Sequence, residues 1–418
     1  MCMKNQYDLI VIGGGAAGMV AAGIASERGA KVLLLEKNKE LGRKILISGH
    51  TRCNLTHDES NIRELIKAYG DNGAFLFSAL NNFPPQEIMN FFENLGVKLK
   101  IEDDRRVFPR SDSSQEIVNS LIKYLKNNKV EIKTLAQVKN IFKDKTNITG
   151  VELENGELFN TTNLLIATGG LSYPGTGSTG DGFKFAKNLG HTITPTIPSL
   201  VPLKIKETFV KDLQGLSFSD IEVSLYQNNK KITKKIGDIL FTHFGISGPM
   251  ILNLSKQVIT ARKNGNVELR INFKPKQNEK QLDLFLQKIF HDNGKKTIKN
   301  IWDNFLPSKF VGIMLDLADI YPEKLANSIS KEERKKILEI LHDLKLTVVG
   351  DMGFEQAIVT SGGVDLKEID PKTMQSKLID NLYFAGEILD IDGITGGYNL
   401  TVAWGTGYTA GNSLALPL

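Results

Sequence analysis

The feature that most constrains the fold is a glycine-rich turn near the N-terminus. Residues 7–12 form an apolar run that predicts a buried parallel strand, and Gly13, Gly15 and Gly18 follow it in the spacing G-x-G-x-x-G. Residues 16–28 then have the small and apolar spacing of a helix, and residues 31–35 predict a second strand that ends at Glu36. This context predicts a βαβ unit that binds a dinucleotide.

Each residue of this unit has a physical role in such a site. Gly13 permits the tight turn, Gly15 lets the backbone approach a pyrophosphate, and Gly18 allows close packing of helix on strand. The helix N-terminus offers unpaired N–H donors to the anion. Glu36 is expected to accept hydrogen bonds from the adenosine ribose, which a 2′-phosphate would oppose.

Further along the chain, the pattern indicates one domain interrupted by another. Residues 84–95 and 114–127 predict amphipathic helices, and residues 130–167 predict a small antiparallel meander that returns to a buried strand. Prolines at 195, 198 and 202 mark a departure from this domain. We therefore expect a first nucleotide-binding part at 1–191, an insert at 192–346, and a second part at 347–418. The insert divides into a β-rich segment, 192–275, and a helical one, 276–346, whose last helix begins with the capping box Ser330–Glu333.

Composition narrows the class of protein. A chain of 418 residues with 41% hydrophobic residues and a net charge of +5 is typical of a globular protein of two or three domains. Cys2 and Cys53 are the only cysteines, which favours a reducing compartment, and neither a secretory signal nor an apolar run of about 18 residues is present. We expect a cytoplasmic protein that binds neither membrane nor nucleic acid, with the lysine clusters at 230–231 and 234–235 as a solvated face.

Three later segments favour FAD over NAD. A basic, glycine-bearing loop occupies 41–49, the motif Ala-Thr-Gly-Gly ends at Gly170, and the strand at 382–385 ends in Gly386-Glu387. The last pattern resembles the second FAD signature of flavoprotein reductases, in which the acidic residue meets the ribityl and phosphate region. A helix predicted to begin near 396–399 would direct its positive end at the electron-rich edge of a reduced flavin.

These motifs together resemble a bacterial family of NAD(P)/FAD-dependent oxidoreductases that includes aminoacetone oxidase and the dehydro-bile-acid reductases. The resemblance spans nearly the whole chain, including 42–54, 167–182, 240–249 and 383–399. It implies an α/β fold, a Rossmann-like FAD domain of the two-dinucleotide-binding-domain flavoprotein type, interrupted by a β-barrel-like and helical insert. One departure is that His50 and Thr51 stand where the family commonly has small residues.

The motifs and the resemblance assign a set of residues to the binding of non-covalent FAD. They are Gly13, Gly15, Ala16, Ala17, Gly18, Glu36, Lys37, Gly42, Arg43, Lys44, Ser48, Gly49, Arg52, Cys53, Asn54, Val138, Ala167, Thr168, Gly169, Gly170, Asp181, Gly386, Glu387, Gly396, Gly397, Tyr398, Asn399 and Leu400.

Candidates for acid–base chemistry are fewer. His243 is the first, followed by Tyr398 and His50. Cys53, beside Arg52, is either a thiolate with a lowered pKa or, in the favoured interpretation, a buried structural thiol. The six histidines show no metal-ligand spacing.

The segment 175–180 also fits G-x-G-x-x-G, but it lacks its own βαβ context, so we interpret it as backbone passing near the flavin. In this interpretation Asp181 caps the helix that follows.

The expected function is hydride exchange between FAD and a small organic substrate. In the leading version NAD(P)H, docking transiently, reduces the flavin, which then reduces a conjugated enone or a similar electrophile. A second version is an amine or alcohol oxidase that passes electrons to oxygen. Two alternatives of other classes are a non-catalytic flavin sensor and a flavoprotein that modifies RNA, the latter disfavoured by the modest charge.

Overall fold

The chain divides into two compact units. The computed structural model describes residues 6–302 and 305–414, so Cys2 lies outside the described residues. Unit 1 combines Met1–Pro198 with Ala357–Leu418, and unit 2 is Ser199–Gln356.

The strands, in chain order, are β1 (Gln6–Ile12), β2 (Val32–Leu35), β3 (Thr56–His57), β4 (Leu99–Ile101), β5 (Arg106–Pro109), β6 (Glu131–Lys133), β7 (Val138–Asp144), β8 (Asn147–Leu153), β9 (Leu158–Ile166), β10 (Ile197–Ser199), β11 (Leu203–Ile205), β12 (Ser217–Gln227), β13 (Lys230–Thr242), β14 (Gly245–Ser247), β15 (Val267–Asn272), β16 (Leu344–Asp351), β17 (Val359–Ser361) and β18 (Leu382–Phe384). The α-helices are α1 (Ala16–Glu27), α2 (Arg43–Ile47), α3 (Ile62–Leu65), α4 (Phe77–Asn82), α5 (Pro85–Asn94), α6 (Ser114–Asn127), α7 (Asp181–Asn188), α8 (Pro249–Arg262), α9 (Glu279–Asp292), α10 (Ser308–Ala318), α11 (Lys331–Asp343) and α12 (Tyr398–Ser413). Short 3₁₀ segments join several of them.

Unit 1 is built on a seven-stranded sheet in the order β6-β2-β1-β9-β8-β7, with β18 also paired to β9. The pairs β1–β2, β1–β9, β2–β6 and β9–β18 are parallel, whereas β7–β8 and β8–β9 are antiparallel. The predicted meander is therefore β7–β9, and its returning strand begins earlier than the sequence pattern indicated. Smaller sheets are β3-β5-β4 and the pair β10–β17.

The parallel strands end level with one another. Ile12 pairs in register with Leu35 and with Ile166, and Ile166 pairs with Phe384. The residues that follow these four strands therefore meet at one edge of the sheet. In open α/β sheets this carboxyl edge is where ligands bind.

The two chain ends of unit 1 are joined by helix packing. Helix α12 lies against α1 so closely that a Cβ added at Gly407 would be 2.4 Å from the Ala17 carbonyl oxygen. A Cβ at Gly411 would be 2.5 Å from the carbonyl oxygen of Ala21. Small residues at helical spacing in α12 thus let two backbones touch, and they bring the C-terminal segment onto the first βαβ unit.

Unit 2 is a closed barrel with helices. Its strands run in the order β11-β14-β13-β12-β15-β16, and α8–α11 contribute to the same apolar core around Phe241, Trp302 and Phe310. Helices α9 and α11 both begin with capping boxes, the second of them the predicted Ser330–Glu333 pair. The architecture expected from the sequence, a Rossmann-like domain interrupted by a barrel and helices, is confirmed.

The boundaries of this unit differ from the expected insert, 192–346. Strand β16 closes the barrel by pairing with β11 and β15, so the barrel continues past 346. The helical pattern ends at Asp343, where β16 begins directly. The change from a helical to an extended pattern after Asp343 therefore lies within this unit and does not mark its end.

Candidate functional site

In the turn between β1 and α1, the glycines differ in whether the surrounding structure leaves room for a side chain. A Cβ at Gly13 would be 2.5 Å from the Ala167 carbonyl oxygen, and one at Gly18 would be 1.9 Å from the carbonyl oxygen of Gly13. These two glycines are required by the fold itself. Gly15 has φ −85° and ψ −168°, which any residue adopts, and its Cβ would meet no described atom within 4 Å. Gly15 therefore opens onto a cleft, at the N-terminus of α1.

Glu36 lies at the end of β2 with 8% of its surface exposed. Its Oε2 accepts a hydrogen bond from the Gly14 amide at 2.8 Å, and its Oε1 accepts from the backbone and side-chain nitrogens of Asn38 at 2.8 and 2.7 Å. The carboxylate is thus fixed against the glycine turn. A fixed acceptor beside a helix N-terminus suits a ribose hydroxyl.

A second carboxylate, Glu387, follows β18 and is held by three elements. Its Oε2 accepts from Lys44 Nζ at 2.6 Å, and its Oε1 accepts from Ser172 Oγ at 2.5 Å and from the Thr360 amide at 2.8 Å. Lys44 also donates to Ser172 Oγ at 2.5 Å. This network ties the basic loop after Glu36 to the C-terminal segment, as expected if both serve one site.

The N-terminus of α12 forms the far end of the site. Gly397 has φ +99°, and a Cβ there would be 2.6 Å from the Thr56 carbonyl group, so the chain passes with no room for a side chain. Asn54, with its amide oriented to satisfy both partners, accepts from the Gly397 amide at 3.0 Å and donates to the Thr56 carbonyl oxygen at 3.2 Å. Asn399 and Leu400, in the first turn of this helix, line the cleft, which therefore adjoins the positive end of the α12 dipole.

A single cleft gathers most of the predicted cofactor residues. The cleft is open to solvent, and the space between its walls, counted to the open mouth, is about 1390 Å³. The predicted residues that line it are Gly13, Gly15, Ala16, Ala17, Glu36, Lys37, Gly42, Arg43, Lys44, Ser48, Val138, Ala167, Thr168, Gly169, Asp181, Gly386, Glu387, Asn399 and Leu400.

Other predicted residues do not line the cleft, and several of them support its walls instead. They are Gly18, Gly49, Arg52, Cys53, Asn54, Gly170, Gly396, Gly397 and Tyr398. Their assignment to the cofactor site stays a prediction.

Cys53 is a buried structural thiol. Burial raises its pKa to about 12, so the thiolate alternative is wrong. The guanidinium of the neighbouring Arg52 has other partners: it pairs with Glu102 and Asp112 and stacks 4.0 Å above the Phe108 ring.

Asp181 does not cap α7, contrary to expectation. Gly180 occupies the cap position and Asp181 is the first helical residue, with no capping hydrogen bond from its side chain. Its carboxylate instead binds Lys37 Nζ at 2.7 Å. The preceding segment passes over Asn38, whose amide donates to the Thr176 carbonyl oxygen at 3.2 Å, so it covers the Glu36 end of the cleft.

The acid–base candidates have separate surroundings. His50 is exposed and lies next to Thr51 in left-handed backbone, and His243 is exposed in unit 2 between β13 and β14. Tyr398 is half-buried, its ring stacked on His57 with centroids 4.7 Å apart. Burial, together with the charge of Glu59, raises the pKa of the Tyr398 hydroxyl, which therefore stays protonated at neutral pH.

One wall of the cleft was not predicted from the sequence. Thr360, on β17, accepts from the Leu171 and Ser172 amides at 2.8 and 3.1 Å and so fixes the loop after β9. Its neighbours Ile358 and Val359 line the cleft. The sequence does contain a signal for this strand, because the double glycine at 362–363 marks its end. In the structure both glycines have positive φ.

The residues present fit FAD. Gly15 leaves open space where a pyrophosphate would meet the start of α1, and Glu36 offers an acceptor on one side of that space. The same cleft is lined by Lys44 and Glu387 and by Asn399 in the first turn of α12. A cleft lined by the N-terminal residues of two helices suits a dinucleotide with an electron-rich ring at one end.

Comparison with known proteins agrees with this fit. The family model described as HI0933-like protein Rossmann domain matches residues 7–413. The chain is 31% identical over 413 residues to the 3-dehydro-bile acid delta(4,6)-reductase of Clostridium scindens, covering 97% of this chain and 98% of the relative. It is 32% identical over 411 residues to the ribosomal RNA dihydrouridine synthase of Escherichia coli, covering 98% of each.

Solved structures share the fold at low identity. The 3-ketosteroid delta1-dehydrogenase of Sterolibacterium denitrificans superposes with a TM-score of 0.54 at 13% identity, covering 98% of this chain and 99% of that one. The 3-ketosteroid-delta4-(5alpha)-dehydrogenase of Rhodococcus jostii gives 0.52 at 14% identity, covering 99% and 98%. Within the described residues no helix is long and apolar enough to cross a membrane.

Proposed function

The chain belongs to the HI0933-like Rossmann-domain family, and on that premise we propose that it saturates a carbon–carbon double bond conjugated to a carbonyl group, with electrons from NAD(P)H. That it is an FAD-dependent oxidoreductase follows from the family and from its named reductase relative. The finer statement, the electron donor and the bond reduced, is the proposal.

One observation carries the proposal. Gly15 faces open space in a cleft that runs from Glu36 to the start of α12, and no packing in the described residues requires a glycine there. A bound dinucleotide supplies the reason. In this arrangement the start of α1 would hold the pyrophosphate and Glu36 the adenosine ribose, while Lys44 and Glu387 would serve the ribityl chain.

Bound FAD supplies a ring that exchanges two electrons as a hydride. The positive end of α12, whose first turn lines the cleft, would stabilise negative charge on that ring. Saturating a conjugated double bond requires a hydride at the β carbon and a proton at the α carbon. Tyr398 does not line the FAD cleft itself; as the first residue of α12, next to the cleft residue Asn399, and protonated at neutral pH, it is the donor we propose for that proton.

The choice of bond rests on what the relatives' names have in common. A 3-dehydro-bile acid reduced at positions 4 and 6 is an enone or dienone, and the uracil ring reduced in making dihydrouridine carries a double bond conjugated to its C4 carbonyl. Both substrates are electrophilic at a β carbon. One active site therefore suits either of them without a change in reaction type.

Anaerobic mixing tests the proposal. The holoenzyme is combined with NADH or NADPH, and bleaching of the flavin absorbance near 450 nm is followed; a steroid enone is then added and reoxidation is recorded. We expect bleaching by one nicotinamide and reoxidation by the enone without oxygen. If only oxygen reoxidises the flavin, and an amine or alcohol reduces it, the oxidase alternative replaces ours.

A second candidate substrate is uridine within RNA. Two relatives named ribosomal RNA dihydrouridine synthase match over 98% and 99% of this chain, which brings back an alternative that the modest net charge disfavoured. Incubating the reduced enzyme with deproteinised ribosomal RNA, followed by mass spectrometry of the nucleosides, tests it. Formation of dihydrouridine supports this candidate, and its absence while a small enone is reduced contradicts it.

A further inference from the structure

The hairpin β12–β13 in unit 2 ends in a concentration of positive charge. Four lysines lie within the first six residues of β13, and two more cations lie at the end of α8. All are exposed. We name this set the basic tip: Lys230, Lys231, Lys234, Lys235, Arg262 and Lys263.

Hydrogen bonds hold the two parts of the basic tip together. Gln227 Nε2 donates to the Ala261 carbonyl oxygen at 2.7 Å. The side-chain Oδ1 of Asn228 accepts from the Asn266 backbone amide at 3.1 Å, and the backbone amide of Asn228 donates to the Asn266 carbonyl oxygen at 3.0 Å. The hairpin turn is thus fastened to the end of α8 and the loop after it, so the backbone segments that carry the six cations are held next to each other.

Most of this charge is not neutralised locally. Lys234 pairs with Glu222 at 2.8 Å, and it is the one member of the tip that forms an ion pair within the described part of the chain. Glu268, opposite Tyr226 on the neighbouring strand, is occupied by Arg270 at 2.6 Å. A surface that leaves several cations unpaired attracts a polyanion.

Simpler explanations account for the charge of only part of the basic tip. Lysines on an exposed strand deter edge-to-edge pairing, and a cation in the last turn of a helix complements its dipole. Neither effect requires the two groups to be fastened together. Strand β13 also carries an extra residue at Ile232, between the pairs Leu225–Thr233 and Tyr226–Lys231, and such a bulge already blunts the edge.

We propose that the basic tip binds the phosphate backbone of an RNA substrate. The inference rests on the RNA candidate of the proposed function. The neighbouring aromatic ring, Tyr226, is covered by the Arg270 guanidinium at 4.1 Å and is not free to stack on a base. Lysines without stacking partners contact phosphates and position an RNA without reading its sequence.

The test replaces the unpaired lysines Lys230, Lys231, Lys235 and Lys263 with Gln in the full-length holoenzyme. A matched control replaces four exposed lysines elsewhere in unit 2, Lys280, Lys288, Lys295 and Lys335, so that net charge changes equally. Binding of poly(U) and of deproteinised ribosomal RNA is measured by filter binding between about 50 and 200 mM salt.

We expect the tip variant to bind both RNAs at least about tenfold more weakly at the lowest salt. The slope of log K against log salt should fall by roughly 0.7 for each lysine that contacts a phosphate of single-stranded RNA. The control variant should keep the wild-type slope, as should a variant with Arg at the four tip positions. Flavin reduction by the nicotinamide should be equal in all of them.

Three results would overturn the inference, and they are distinguishable. If the wild type binds neither RNA, the RNA candidate itself fails. If the wild type binds RNA and the tip variant keeps its slope, only the assignment to the tip fails. If the tip variant instead loses binding to phosphatidylglycerol vesicles while RNA binding is unchanged, the tip is a membrane-surface contact.

Discussion

At the scale of single residues, Gly15 distinguishes a glycine kept for a ligand from one kept for the fold. Replacing Gly15 with Ala adds a methyl group that touches no described atom, so the apoprotein should unfold at the same urea concentration or a slightly higher one. FAD affinity should fall about tenfold or more, or about 1.4 kcal/mol, because the methyl group occupies pyrophosphate space. Fluorescence titration of the apoprotein with FAD measures this.

Gly18 provides the control for that experiment. An added Cβ there lies 1.9 Å from the carbonyl oxygen of Gly13, so Gly18→Ala should destabilise the apoprotein itself. Equal loss of stability in Gly15→Ala would show that its glycine also serves the fold, and the argument for a ligand would lose its basis.

The loop at 49–53 stores strain in side-chain-bearing residues. His50, Thr51 and Cys53 have φ values of 55°, 66° and 61°, and Thr is β-branched, which makes this backbone especially unfavourable. Thr51→Gly should therefore raise the free energy of unfolding by about 1 kcal/mol, and His50→Gly by a similar amount. Urea denaturation checks both. As a control, Gln115→Gly on the exposed face of α6 should instead lower the free energy of unfolding by about 1 kcal/mol. A lower free energy of unfolding in Thr51→Gly would mean that the Thr51 side chain stabilises the loop.

At the scale of elements, a buried histidine joins the end of α7 to the turn before β18. Ser376 Oγ accepts from the Leu378 and Ile379 amides, each at 3.0 Å, so its hydrogen is directed to His191 Nε2 at 2.8 Å. The ring is therefore neutral when folded, and burial lowers its pKa. The unfolded chain, with a pKa near 6.5, binds the proton more readily, so stability should fall as pH drops below about 6.5.

His191→Gln tests this element by removing the titrating ring while offering an acceptor in its place. Its stability should depend less on pH between about 7 and 5 than that of the wild type, measured by urea denaturation. His291, whose side chain is 90% exposed, serves as the control, because His291→Gln should leave the pH dependence unchanged. Identical curves for His191→Gln and the wild type would mean that His191 does not set the acid limit of this element.

At the scale of the whole molecule, sequence patterns predicted the features that depend on residues close together in the chain. The β1–α1 turn, the helices α5 and α6 and the capping box at Ser330 could be predicted because each depends on neighbouring residues. The hydrogen bond that Thr360 accepts from the Ser172 amide, in the loop after β9, could not be predicted. The two residues are 188 positions apart, and no local pattern encodes a partner at that distance. For Cys53 the sequence favoured a buried structural thiol over a thiolate beside Arg52, and the thiol is buried. The residues that bind the Arg52 guanidinium, Glu102 and Asp112, could not be predicted, because they lie 50 and 60 positions away.

The residues that line the cofactor cleft all lie in unit 1, which has a consequence for the stability of each unit. The two tryptophans of the chain report on different units: Trp404 is buried in α12, and Trp302 is buried in the core of unit 2. Trp302→Phe therefore leaves a fluorophore for unit 1, and Trp404→Phe leaves one for unit 2. FAD at a hundred times its Kd stabilises the fold that binds it by about 2.7 kcal/mol.

Removing FAD should therefore shift the unfolding midpoint seen by Trp404 to lower urea, and the midpoint seen by Trp302 should shift much less. The measurement is the emission maximum of each single-tryptophan variant in urea, with and without FAD. Equal shifts for both tryptophans would show that the two units unfold as one cooperative body. No shift for Trp404 would contradict the placement of FAD in the cleft, because binding to the folded unit must stabilise it.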